Sequence, residues 1–402
     1  MIKRNPGYVL REFAEVFYLY PFGQSVADYD KSSRLNETGV LLWELLEEPK
    51  EKEELITAFT EKFEADDETK KEIRKDMERF IAILITQNIL LDTEEEEILS
   101  GSIEREFEIA GLTMRMKASK ECIPKEFDPF EVHLSEKSPN LKIEVVPKVC
   151  RFQETGTILV RNEELVVFEQ EERFLLLFLL SEKIVEAVLS KDGSKAVVYY
   201  TPPADAVFSE DLFHAIRFFF LYMAQERGFF AVHSVSLLYR DRAWLFSGHS
   251  GMGKSTHTRL WQENLHTPVF NGDLNLLSID GESVNVHGIP WCGTSGISGR
   301  GTYPLGGIVL LKKVESEIRC LSLSKEEKQI RVANRIISPT WKKELQDKNL
   351  AFAKDIIKKV PVWKLEHTKN RKSMDVIQGQ MDAYLELSGP DHSGEDGQEK
   401  GE

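Results

Sequence analysis

The chain has 402 residues, 41% of them apolar, and its 52 basic and 67 acidic side chains give a formal charge of −15. That length and apolar content suit two or three globular domains, each with its own core. The acidic balance, with runs such as Glu94-Glu95-Glu96-Glu97, excludes the basic face by which a protein holds nucleic acid.

No run approaches the ~20 apolar residues of a membrane-spanning helix, so no membrane partner is expected. The opening residues 1–7 lack the apolar stretch of an export signal, which makes the cytoplasm the expected location. Cys122, Cys150, Cys292 and Cys320 lie far apart with no C-x-x-C pair, the pattern of reduced thiols rather than of a disulfide framework or a structural zinc site.

Residues 1–92 read as one unit. Residues 8–13 and 16–20 have strand character, 21–23 make a turn, and 24–30 supply a third short strand. Three helices follow. Asn36 caps the first, Leu55, Ile56, Phe59 and Phe63 mark the second, and Ile73, Met77, Phe80, Ile81, Leu84 and Ile85 recur at helical spacing in the third.

The arrangement, with Leu35-Asn36, Gly39, Trp43-Glu44-Leu45-Leu46, Phe80 and the closing Asn88-Ile89-Leu90, resembles the PqqD-type domain, a small winged helix-turn-helix that holds the leader of a ribosomally made precursor peptide. In that family the leader adds as a strand to the edge of the third strand and packs on the third helix. The resemblance therefore implies a leader groove along Val26, Ala27, Asp28 and Tyr29 and the face of Arg74, Met77 and Ile81. It also implies a leader-containing precursor peptide as partner, and other enzymes of a peptide-modification cluster.

Residues 93–102 are charged and read as a linker. Residues 103–205 are β-rich, with strand-like stretches at 107–110, 112–116, 142–146, 157–160, 164–168 and 196–200. The apolar run at 174–180 suits a buried strand or helix. An apolar helix over 210–227 ends at Gly228 and opens a core at 206–387, while 388–402 is an acidic, glycine-rich tail expected to be disordered.

The chemistry is stated by Gly248-His249-Ser250-Gly251-Met252-Gly253-Lys254-Ser255-Thr256, which fills every position of the pattern G-x-x-x-x-G-K-[ST]. An apolar strand at 243–246 precedes it and a helix at 258–263 follows. In that setting, backbone N–H groups and the positive helix end suit the oxygens of a nucleoside triphosphate, ATP or another. Lys254 would reach the β- and γ-phosphates, and the Ser255 hydroxyl would sit on Mg2+. The strand-like run 229–238 and the strand 242–247 predict a hairpin leading into the loop, and a strand over 268–274 delivers Asp273. A glycine-rich loop at 288–301 carries Arg300, a buried strand follows at 305–311, and helices near 325–335 and 340–358 with a last strand at 362–365 complete the domain.

His233, fifteen residues before the loop, and Asp273, nineteen after Lys254, resemble with the loop, Arg300 and the strand near 361–365 the HPr serine kinase family, which shares its fold with phosphoenolpyruvate carboxykinase. The resemblance spans roughly 210–365 and implies an α/β (α+β) architecture: a winged helix-turn-helix, a β-rich middle segment and a P-loop domain over 103–387. It also implies a homo-oligomer.

Where that family shows two adjacent aspartates, this chain has Gly272-Asp273, and the spacing matches Asp273 to the metal-side acid. Metal binding is thus expected from Ser255 and Asp273, and phosphoryl transfer from Lys254, His233, Asp273 and Arg300. The implied activity is phosphorylation of a serine or threonine of the precursor peptide. A kinase of a carrier protein or small metabolite is the second reading, and a nucleotide-binding peptide chaperone without turnover the third.

Overall fold

The computed structural model describes residues 2–14, 16–21, 32–63, 66–86, 89–92, 102–147, 156–170, 173–249 and 251–388. The class is α+β, as expected. The chain forms two compact units, one of residues 1–107 with 113–223 and one of 108–112 with 224–402.

In the first unit β1 (Ile2–Arg4) pairs antiparallel with β5 (Leu90–Asp92), and β2 (Tyr8–Phe13), β3 (Val16–Pro21) and β4 (Ser33–Leu35) form an antiparallel sheet. Its third strand is thus Ser33–Leu35. The predicted strand at 24–30, with Val26, Ala27, Asp28 and Tyr29, lies outside the described residues, as do the linker at 93–101 and the tail at 389–402.

The helices α1 (Glu37–Leu45), α2 (Lys52–Thr60) and α3 (Asp67–Thr86) follow as their periodicity requires. Asn36 caps α1 by accepting the N–H of Gly39 at 2.9 Å, a bond worth about 1 kcal/mol in such caps. Leu42, Trp43, Leu55, Ile56, Phe59, Met77 and Ile81 make the core of this part.

The β-rich stretch folds into one nine-stranded sheet. Its strands are β6 (Ile103–Ile109), β7 (Leu112–Ala118), β8 (Glu131–Val132), β9 (Leu141–Val146), β10 (Thr157–Arg161), β11 (Leu165–Glu169), β12 (Arg173–Phe178), β13 (Ile184–Ser190) and β14 (Lys195–Tyr200). Strands β10 to β14 meander antiparallel, and β9 pairs parallel with both β14 and β7. The apolar run at 174–180 is therefore mostly strand. The helix α4 (Ala206–Glu226) packs aromatic rings on this sheet, Phe208 stacked on Tyr200 at 4.2 Å and Tyr222 edge-on to Phe174 at 5.5 Å.

The second unit holds β15 (Phe229–His233), β16 (Val235–Tyr239), β17 (Arg242–Ser247), α5 (Lys254–Leu265), β18 (Val269–Asn271), β19 (Leu274–Asp280), β20 (Ser283–His287), β21 (Thr302–Lys313), β22 (Arg319–Ser322), α6 (Lys325–Ala333), α7 (Lys343–Lys359), β23 (Val362–His367) and α8 (Lys372–Ser388). The sheet runs β15-β19-β20-β21-β17-β16-β18, with β23 beside β21 and β22. Around the phosphate loop it is parallel: β17 pairs with β21, and β21 with β23.

Besides the strand expected over 268–274, which stops at Asn271 and leaves Asp273 in the turn before β19, two features differ from the sequence reading. The run at 229–238 is not one strand: it breaks at Ser234, after which β16 makes the expected hairpin with β17 while β15 pairs with β19. The second is α8, which buries Met374, Ile377 and Met381 in a cluster with Trp244, Trp261 and Trp363. Those residues recur at helical spacing, but among lysines, aspartates and glutamines that dilute the apolar signal.

Candidate functional site

The phosphate-motif loop at 248–253 leaves the C-terminal end of β17 and enters α5, so the N-terminus of that helix faces whatever the loop holds. Gly251 and Gly253 take the left-handed conformation, with φ of 79° and 98°. A side chain at Gly253 is excluded a second time, because a Cβ there would lie 2.3 Å from the ring of His367 at the end of β23. That ring is buried and its Nε2–H donates to the Met252 carbonyl at 2.7 Å, fixing the loop from beneath. His257, on α5, lies edge-on to His367 at 4.7 Å and is held neutral by burial, its pKa pushed down to about 3.

Lys254 opens α5, and its ammonium lies 2.6 Å from Nε2 of His233 and 3.0 Å from the carbonyl of Gly248. An ammonium can only donate, so Nε2 of His233 is the acceptor and the ring proton sits on Nδ1. That nitrogen faces Oδ1 of Asp273 at 3.5 Å, both side chains remaining about one third exposed at 32% and 40%. Burial first and Lys254 second push His233 below its ordinary pKa, against the opposing pull of Asp273. Burial lowers Lys254 as well, again opposed by Asp273. The strand break at Ser234 is what brings the pair together, since the N–H of Ser234 donates to the Asp273 carbonyl at 2.9 Å.

The other predicted residues fall as follows. Ser255 is exposed and Thr256 half-buried in the first turn of α5, beside the partly buried Met252; Ser250 lies outside the described residues. Arg300 is exposed on the glycine-rich loop.

A further guanidinium whose charge reaches the lysine is that of Arg335, which sequence spacing does not single out. Its backbone carbonyl accepts the N–H of His233 at 2.8 Å, and its side chain reaches Nδ1 of His249 in the loop at 3.4 Å. Its charge acts on both Lys254 and His233, and burial pulls its own pKa down. The bridge of Ile336 to Val232 that places it is a tertiary pairing with no local signature.

Gly272, where the resemblance leads one to look for a second aspartate, has no room for a side chain. A Cβ there would lie 1.8 Å from Oγ of Ser295, whose hydroxyl donates to the Cys292 carbonyl at 2.6 Å. The loop 288–301 has folded into the space, with the N–H of Gly272 bonded to the Ile297 carbonyl at 2.9 Å and Gly293 packed against the Asp273 carboxylate.

In the first unit, Asn36, Thr38, Phe59, Phe63, Ile73, Asp76, Met77 and Phe80 line a cavity of about 320 Å³ between the start of α1 and the helices α2 and α3. Met77 lines this cavity; Arg74 is paired with Glu53 and, at 3.6 Å, with Glu78, and Ile81 is fully buried in the core.

A search of the curated proteins finds no match. Among solved structures the chain is similar to that of the Hpr(Ser) kinase/phosphatase from Coxiella burnetii, at 10% identity and a TM-score of 0.23 over 40% of this chain and 99% of that one. Residues 26–90 match the family described as coenzyme PQQ synthesis protein D (PqqD), and this segment of the chain is a PqqD domain.

Proposed function

We propose that the protein is an ATP-dependent kinase that phosphorylates a serine or threonine hydroxyl of a ribosomally made precursor peptide recruited through its leader. The observation that carries this reading is the chain of contacts Lys254–His233–Asp273, 2.6 and 3.5 Å long, set against a complete phosphate-binding loop. A loose phosphoryl transition state needs charge neutralisation and alignment more than covalent help. Gly251, Gly253 and the first turn of α5 cradle the phosphates, Lys254 and Arg335 neutralise them, and Ser255 and Asp273 hold Mg2+, which supplies further charge neutralisation when bound.

His233 Nε2 takes the proton of the acceptor hydroxyl as its oxygen bonds the γ-phosphorus; the bond to the bridging oxygen breaks and ADP leaves. Asp273 keeps Nδ1 protonated and so directs the lone pair of Nε2 outward. The cavity of the PqqD domain suits an apolar leader side chain, and tethering the leader raises the local concentration of the acceptor.

Incubation with Mg2+, ATP and a precursor peptide, followed by mass spectrometry, tests the proposal. A gain of one phosphate that disappears in Lys254→Ala and Asp273→Ala supports it; an untouched gain in Asp273→Ala overturns the mechanism. The loop-filled position at Gly272 supports a second reading, a nucleotide-binding peptide chaperone, and nucleotide and peptide binding without any phosphate gain would select it.

A further inference from the structure

Four buried polar side chains lie beneath the candidate site, none of them among the residues assigned so far. Ser234, Ser236, Asn271 and Asn275 are each at most 1% exposed. Buried amides cost free energy unless satisfied, and here they satisfy one another. Asn275 donates through Nδ2 to the Ser234 carbonyl at 2.6 Å and to Ser234 Oγ at 3.0 Å, and its Oδ1 accepts from Nδ2 of Asn271 at 3.0 Å. Asn271 donates also to the His287 carbonyl at 2.9 Å, accepts the N–H of Gly299 on Oδ1 at 3.1 Å, and gives its own N–H to Ser236 Oγ at 3.0 Å.

The bonds join four segments, and three of them carry a candidate site residue next to the anchor, the fourth being the end of β20 at His287. Ser234 follows His233, Asn271 and Asn275 straddle Asp273, and Gly299 precedes Arg300. The two amides therefore tie together the break between β15 and β16, the turn between β18 and β19, and the glycine-rich loop. A core would be satisfied more simply by apolar residues at these positions; fully paired amides specify one geometry.

We propose that Asn271 and Asn275 are positioning residues that hold His233, Asp273 and Arg300 in register with one another, independently of the phosphate loop. The inference rests on the kinase reading only for its catalytic consequence.

The test uses the full chain with Asn271→Ala and, as a milder change, Asn275→Ser. Three quantities are read: backbone hydrogen exchange at 297–301, affinity for ADP without Mg2+ by equilibrium titration, so that Asp273 does not enter the binding, and phosphate transfer. Loss of the bond from Gly299 should speed exchange at 297–301 about tenfold, the effect of one net hydrogen bond. Affinity for metal-free ADP should stay within about threefold, because the hydrogen bonds of the two amides run to Ser234, Ser236, His287 and Gly299 and, among the described residues, not to the loop at 248–256, whereas turnover should fall about 100-fold, as for misplaced catalytic groups.

Unchanged exchange overturns the proposal. So does a parallel loss of ADP affinity and loop protection, including failure to fold, since the amides would then be holding the domain and not the site. If the unsubstituted protein transfers no phosphate, the kinase reading fails by itself, and the exchange and affinity pattern still decides the role of the amides.

Discussion

The ammonium of Lys254 rests 2.6 Å from Nε2 of His233, so the residue that would grip a phosphate also occupies the lone pair of the residue that would take a proton. A triphosphate in the loop competes for that ammonium and would draw it from the imidazole. Lys254→Ala should weaken Mg2+·ADP binding by about 10- to 100-fold, since hydrogen bonds to charged groups are worth roughly 1.5–3 kcal/mol. Isothermal titration checks this, and affinity unchanged within experimental error would remove Lys254 from the phosphate site.

The same contact separates two roles that are otherwise hard to tell apart. His233→Gln should leave ADP binding within a few-fold of the parent and slow transfer by about 100-fold or more, the usual contribution of acid–base catalysis. Steady-state kinetics beside nucleotide titration reads the difference; equal loss in both would make His233 a support for Lys254.

Restoring an aspartate pair should fail for a steric reason. Gly272→Asp drives a Cβ into Ser295 Oγ, which would lie 1.8 Å away, so the protein should lose roughly 1–3 kcal/mol, a typical overpacking cost. Pairing Gly272→Asp with Ser295→Gly should recover most of the lost Tm by differential scanning calorimetry. A single variant as stable as the parent would show that the loop 288–301 yields freely.

Stability should fall on mild acidification. Burial holds His287 at a pKa of about 4 and His257 at about 3, while an unfolded histidine titrates near ~6.5. Both folded values are depressed, so the unfolded chain binds protons first: the stabilisation is complete above ~6.5 and declines as pH falls toward the folded values, by up to about 1.4 kcal/mol per pH unit per histidine. Circular-dichroism melts between pH 7 and 5 should show this slope, reduced in His287→Asn; a flat profile would count against neutral burial.

Phe63, 36% exposed at the rim of the cavity in the PqqD domain, offers a handle on peptide binding. Phe63→Ser should weaken a fluorescent leader peptide about tenfold in anisotropy titrations, consistent with ~1.4 kcal/mol of lost apolar contact. Use of a leaderless core peptide should stay unchanged, and equal loss on both would sink the tethering idea.

What the sequence disclosed, and what it hid, follows the range of the interactions. The phosphate loop, the Asn36 cap and the helices of the first unit are local patterns, legible from spacing alone. His233 and Asp273 stand out through their spacing from the loop together with a family resemblance, but the contact between them depends on the break at Ser234, where β15 and β16 take different partners. Arg335 was invisible because a cross-strand bridge to Val232 brings it in. The crowding at Gly272 likewise depends on where a loop that begins sixteen residues downstream folds back.

The hydrogen bond from His367 to the Met252 carbonyl has a consequence for how the protein is made. The loop at 248–253 is translated more than a hundred residues before the ring that supports it, with β21, α6, α7 and β23 among the elements still to come. A nascent chain that has emerged only as far as α7 carries every residue of the phosphate motif but not its underside. On the proposed function, nucleotide capture would thus be acquired late in synthesis, and fragments ending before residue 367 should show no stable Mg2+·ADP complex.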